Sequence, residues 1–103
     1  MTKISRSSGN VFRDLGFSPE EAENLRMRST LMALASQLIE DRKLTQAKAA
    51  ILFGVSQPRV SDLVRGRIEL FSIDGLIEML GRAHIRIELR VAKTRPRKKE
   101  RVA

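Results

Sequence analysis

The sequence predicts a mainly α-helical domain that ends in one β-strand, and three observations lead there. Apolar residues recur at helical spacing through residues 19–42 and again through 73–80. Residues 44–66, LTQAKAAILFGVSQPRVSDLVRG, hold two short helical stretches, each opened by a hydroxyl residue and closed by a glycine. Residues 85–91, IRIELRV, change period: Ile85, Ile87, Leu89 and Val91 alternate with Arg86, Glu88 and Arg90, which is the pattern of a half-buried strand.

With 103 residues the chain is one domain at most, flanked by flexible ends. Four Phe without Trp or Tyr make the expected core mainly aliphatic. The absence of Cys excludes disulfides, thiolate metal sites and cysteine nucleophiles, and fits a reducing compartment. Apolar runs fall far short of a membrane span and the first ten residues lack the apolar core of a signal peptide, so a cytoplasmic location without membrane contact is the expectation.

A net charge of +8 favours a polyanionic partner. Its distribution is uneven: Lys93, Arg95, Arg97, Lys98, Lys99 and Arg101 outnumber Glu100 by five, leaving about +3 for residues 1–92. This tail reads either as a solvated end or as a nonspecific phosphate-binding arm. The chain therefore divides into a disordered N-terminus (1–8), a folded domain (9–92) and a basic disordered tail (93–103).

Taking the elements in order, residues 9–17, GNVFRDLGF, carry Val11, Phe12, Leu15 and Phe17 between two glycines and should pack onto the domain. Ser18, Pro19 and Glu21 form a helix start, with an N-cap serine, proline at the first position and a glutamate placed for a capping box. The helix runs to Asp41 or Arg42. Leu25, Met32 and Ile39 repeat every seven residues, and Leu31, Leu34, Ala35 and Leu38 add a second apolar line; with Met27 they read as core.

In residues 44–66, Thr45 is the expected N-cap of a helix with Ala47, Ala50 and Ile51 inward, stopping at Gly54. Ser56 caps a second helix whose inward residues are Val60, Leu63 and Val64, with Gln57, Arg59, Ser61, Asp62 and Arg65 outward and Gly66 as its stop. Ala50, Gly54 and Val60 meet the demands of two helices packed at roughly 90 to 120°, a helix-turn-helix. Residues 67–71 connect to a helix capped by Ser72, running from Ile73 to about Leu80, with Ile73, Leu76, Ile77 and Leu80 buried and Gly81 beyond it. The strand of residues 85–91 needs a partner, which can be its own copy in a second subunit, a piece of the N-terminal segment, or another protein. Self-pairing across a two-fold axis is the favoured reading.

Residues 44–66 resemble, without a gap, the DNA-binding motif of the Cro-like xenobiotic-response-element (XRE) family: Thr45-Gln46 opening the first helix, Gly54-Val55 at the turn, Ser56-Gln57 opening the recognition helix. Residues 9–17 resemble the opening of a subgroup of these regulators, many of which are antitoxins of the host-inhibition-of-growth type, and extend the likeness to residues 9–92. The resemblance implies a five-helix Cro/lambda-repressor-like domain, a homodimer on an inverted-repeat operator in double-stranded DNA, and, through the subgroup, a small toxin protein as partner. It puts Gln57, Pro58, Arg59, Ser61 and Asp62 at base edges and Thr45, Gln46, Lys48, Ser56, Arg65 and Arg67 on the DNA backbone. A glutamine suits adenine and an arginine guanine or phosphate; Asp62 suits cytosine or an ion pair within its helix. Pro58 departs from the polar residue common in relatives and narrows the hydrogen bonding available there.

One histidine, His84, and no cysteine leave only carboxylates for a metal, and no nucleophile elbow or phosphate loop accompanies His84, which reads as a turn or surface residue. No cofactor and no enzymatic activity are expected. The sequence thus reads as a transcriptional regulator, in its simplest form a repressor. The alternative is an RNA-binding or ribosome-associated basic protein, favoured by the tail and opposed by the scarcity of aromatic residues for base stacking.

Overall fold

A computed structural model describes residues 10–93 and contains five α-helices joined by short turns. They are α1 (Val11–Asp14), α2 (Pro19–Asp41), α3 (Gln46–Phe53), α4 (Gln57–Val64) and α5 (Ile73–Arg82), with a 3-10 turn at Ile68–Leu70 between the last two. The basic residues from 94 onward and the N-terminal residues 1–9 lie outside the described part, and with them the expected disorder of both ends.

Each helix has a side-chain cap at its start. Asn10 accepts from the Phe12 amide at 3.0 Å, Ser18 from Glu21 at 3.2 Å, Thr45 from Lys48 at 3.1 Å, Ser56 from Arg59 at 3.3 Å and Ser72 from Gly75 at 3.1 Å. Among the described residues the Glu21 carboxylate returns no bond to Ser18, so the capping box is half formed. Asn10 also donates through Nδ2 to the Ala22 carbonyl at 3.1 Å, tying α1 to α2. The Phe12 and Phe17 rings meet edge to face at 6.3 Å and close the α1 turn.

The helix ends are equally uniform. Each has a left-handed residue after the last turn: Gly16, Lys43, Gly54, Gly66 and His84. In each case that residue's amide and the next one bond back in the paired pattern of the Schellman motif, as in Val55 N to Ala50 O at 3.0 Å and Ile85 N to Leu80 O at 2.9 Å. His84 thus has the turn role its position implied, and α5 runs through Gly81 to Arg82, two residues beyond the expected end, because the left-handed stop sits at His84.

Helix α2 is the spine. Its Leu31, Met32, Ala35 and Ile39 join Ala49, Ala50 and Phe53 of α3, Val60 and Leu63 of α4, Phe71, and Leu76, Met79, Leu80 and Ala83 from α5 and its end in one continuous core. Phe53, Leu63, Leu76, Leu80 and Val60 are its largest fully buried side chains. No polar or charged residue is buried among the described residues, so the core is held by apolar burial alone, roughly 1.5 to 3 kcal/mol for each large side chain.

Several expected faces are rotated. In α3 the buried residues are Ala49, Ala50 and Phe53, while Ala47 is exposed and Ile51 is 81% exposed. Val64, Leu34 and Ile77 are exposed, and Met79 is buried in place of Ile77. These helices carry apolar residues on more than one side, so periodicity alone leaves open which side meets the core.

The expected C-terminal strand is absent among the described residues: 85–93 form no ladder and no regular element. Ile85 and Ile87 fold back, half-buried, onto the core, whereas Leu89 and Val91 stand out at 78% and 95% exposure. Alternation specifies which side chains can face inward, but a strand exists only when a second one supplies hydrogen bonds.

The left-handed stops make an opposed pair of predictions. Gly54→Ala forces a side chain into the left-handed region and against the Arg82 stem, whose Cδ would lie 2.6 Å from the new Cβ; it should lower stability by about 1 to 2 kcal/mol. Lys43→Gly removes an existing strain, with φ at 52°, and should raise stability by up to about 1 kcal/mol. Urea unfolding followed by circular dichroism measures both.

Candidate nucleic-acid interface

Helices α3 and α4 are joined by Gly54, Val55 and Ser56. Gly54 takes φ 70° and ψ 35°, and Ser56 takes φ −80° and ψ 162°, turning the chain and starting α4 within three residues. Ala49 and Ala50 let α4 come close, and Val60 and Leu63, 0% and 1% exposed, lock its inner face. The Arg82 side chain lies over Gly54, so the end of α5 braces the turn from outside.

On the outer side of α4, Gln57 and Pro58 in the first turn are exposed, whereas Ser61 and Asp62 are half-buried. Asp62 lies 3.7 Å from Arg65 in an i,i+3 ion pair. Exposed pairs of this kind contribute about 0 to 1 kcal/mol, so Arg65 exchanges its carboxylate for another anion at little cost. Arg59 departs from the freely outward residue expected: it is half-buried, with its guanidinium carbon 4.3 Å from the centroid of the Phe71 ring.

Thr45, Gln46 and Lys48 form an exposed group at the start of α3, with Ser56 exposed at the start of α4. The Thr45 and Ser56 hydroxyl oxygens accept helix amides, which leaves each hydroxyl proton available to an acceptor outside the chain. Arg67 is exposed beyond α4 and reaches Glu69 at 3.9 Å. Of the residues singled out in α3 and α4, Thr45, Gln46, Lys48, Ser56, Gln57, Pro58 and Arg65 are exposed and Arg59, Ser61 and Asp62 half-buried, while Ile85, Ile87, Leu89 and Val91 split between core and solvent.

Two residues of the site escaped the sequence reading. Phe71 read only as part of a connection, yet it is 3% exposed and stacks under Arg59. Arg28, within the apolar stripes of α2, donates from Nη1 to the carbonyl oxygens of Ile68 and Phe71 at 3.1 and 3.2 Å, and from Nε to Asn24 Oδ1 at 2.8 Å. The two bonds to Ile68 and Phe71 span forty and more residues, a separation on which local periodicity carries no signal. No group of three or more metal-ligating side chains occurs among the described residues, and no helix there is long and apolar enough to cross a membrane.

A family model described as a helix-turn-helix domain matches residues 11–92. A solved structure of a protein assigned to the XRE family of transcriptional regulators superposes with a TM-score of 0.66 at 30% sequence identity, covering 72% of this chain and 83% of that one. No curated protein sequence matches. The matched span takes in all five helices, and the chain belongs to the helix-turn-helix domain family, in its XRE branch.

Proposed function

We propose that this chain is a sequence-specific DNA-binding transcriptional regulator that acts in the cytoplasm as a repressor by occupying its operator. The observation that carries this reading is the two-sidedness of α4: Val60 and Leu63 are immobilised in the core while Gln57 and Pro58 face solvent beside Arg59. A rigid helix whose first turn presents unpaired polar groups suits the major groove. Gln57, Pro58, Arg59, Ser61 and Asp62 then meet base edges, and Thr45, Gln46, Lys48, Ser56, Arg65 and Arg67 hold the phosphates on either side.

The alternative of single-stranded RNA binding has little support in the aromatic residues. Phe53 and Phe71 are buried and Phe12 packs on Phe17, the one exposed ring, so there is no row of exposed rings for successive bases.

The reading includes a homodimer on an inverted repeat. Leu89 and Val91 are exposed at the end of the domain and would be covered by a second copy; a dimer on an inverted repeat needs its two copies of α4 about 34 Å apart, one turn of DNA. The antitoxin role implied by residues 9–17 would use the apolar side of the α1 region, where Val11, Leu15 and Phe17 are 58%, 68% and 44% exposed; stable co-purification with a small toxin protein encoded beside this chain tests it.

Gln57→Ala with Arg59→Ala should weaken binding by roughly 1 to 3 kcal/mol for each base edge that the truncated side chain no longer reaches, measured by mobility shift on a duplex selected from a random pool; unchanged affinity sinks the assignment of α4 as the reading helix. A chain lacking residues 94–103 should bind all duplexes more weakly, with the salt slope shallower by about 0.9 for each phosphate no longer neutralised. Leu89→Asp with Val91→Asp should leave the helical spectrum intact while sedimentation shows a monomer. That variant should bind the inverted repeat no better than a half-site.

A further inference from the structure

We infer that Phe71, whose backbone Arg28 holds, is a positioning residue for DNA reading: its ring holds the Arg59 guanidinium with the N–H edge turned toward a guanine. The inference rests on the reading of α4 as the helix that enters the groove. It adds a residue outside the helix-turn-helix to the determinants of specificity.

The geometry points to this through three linked contacts. The Arg59 guanidinium carbon is 4.3 Å from the Phe71 centroid, within the range in which a cation is held by an aromatic face. A guanidinium held on an aromatic face is restrained in position, and in a parallel arrangement its donors lie along the edge, the part that pairs with O6 and N7 of guanine. Arg59 enters none of the ion pairs among the described residues, and the neighbouring carboxylate of Asp62 is engaged with Arg65. Within the described residues, none of the side-chain hydrogen bonds starts from Arg59 either.

Phe71 is itself held. It follows the 3-10 turn at Ile68–Leu70, and Arg28 clamps both ends of that turn through the carbonyls of Ile68 and Phe71. Asn24 accepts from Arg28 Nε at 2.8 Å and sets the direction of the clamp from α2. An aliphatic side chain would serve to fill the same buried position, but only an aromatic one offers a face to a cation. A long arginine pre-ordered in this way loses less conformational freedom on meeting its base than one swinging in solvent.

The test uses the full chain and the duplex that it enriches from a random pool, together with every single base-pair replacement of that duplex. Arg59→Ala identifies the base pair whose replacement ceases to matter. Phe71→Leu should reduce discrimination at that base pair about three- to tenfold and leave the other positions within about twofold, and added to Arg59→Ala it should change nothing more. A loss spread evenly over all positions, or one that persists in the Arg59→Ala background, overturns the inference and marks Phe71 as a packing residue. Should Phe71→Leu fail to fold, the ring-current shift of the Arg59 Cδ protons in the unaltered protein decides: upfield resonances are expected, and random-coil positions overturn the inference. A selection that enriches no duplex overturns the DNA-reading function and this inference with it, whereas a successful selection with a flat Phe71→Leu profile overturns the inference alone.

Discussion

The geometry of the helix-turn-helix depends on how closely α3 and α4 approach one another. Ala49, Ala50 and Phe53 of α3 and Val60 and Leu63 of α4 are all buried in the same cluster, so a larger residue at either alanine would displace its packed neighbours. Cores at native packing density respond to a single added methylene. The angle at which α4 presents Gln57 and Arg59 is therefore set by side chains that never meet a ligand. Helix α2 transmits the same constraint, because its Leu31, Met32, Ala35 and Ile39 bind α3, α4 and α5 into one cluster.

The caps matter because the helices are short. Helices α3 and α4 have eight residues each, below the roughly 12 to 15 at which an isolated helix holds in water. They exist because a hydroxyl satisfies an amide at each start, a left-handed residue satisfies carbonyls at each end, and the core takes the remaining face. Arg82 over Gly54 and Arg28 over the 3-10 turn extend this logic to the connections: long cations with their stems against the fold hold the segments that flank α4. The turn before α4 and the turn after it are thus braced from different helices, and α4 is fixed at both ends.

Local chemistry was legible in the sequence and tertiary choice was not. Ser18, Thr45, Ser56 and Ser72 announce their caps within three residues of the amides they bind, and Gly54 and Gly66 their turns, so four of the five helix starts and two of the five stops could be read directly. The buried face of α3 could not, since Ala47, Ala49, Ala50, Ile51, Leu52 and Phe53 supply apolar residues on nearly every side and only the neighbouring helices choose among them. Residues 85–91 show the same limit: their alternation puts Ile85 and Ile87 inward, and nothing in one chain supplies the hydrogen-bonding partner that a strand requires. Arg59 read as an outward side chain because its stacking partner lies twelve residues on, beyond a turn whose shape depends on Arg28 of another helix.

Charge also shapes how such a domain discriminates. Residues 10–93 carry thirteen basic against eleven acidic side chains, so the folded part is nearly neutral and has little general attraction for a polyanion. Most of the excess lies in the residues on either side, chiefly 94–103. The net positive charge and the helix-turn-helix thereby reside in different parts of the chain. A nearly neutral reading surface gains from a duplex only where its few placed donors find their acceptors, and it gains little elsewhere. Under the proposed DNA-reading role, the placement of Gln57 and Arg59, and the buried ring and alanines around them, is worth more to selectivity than any further positive charge on α4 would be.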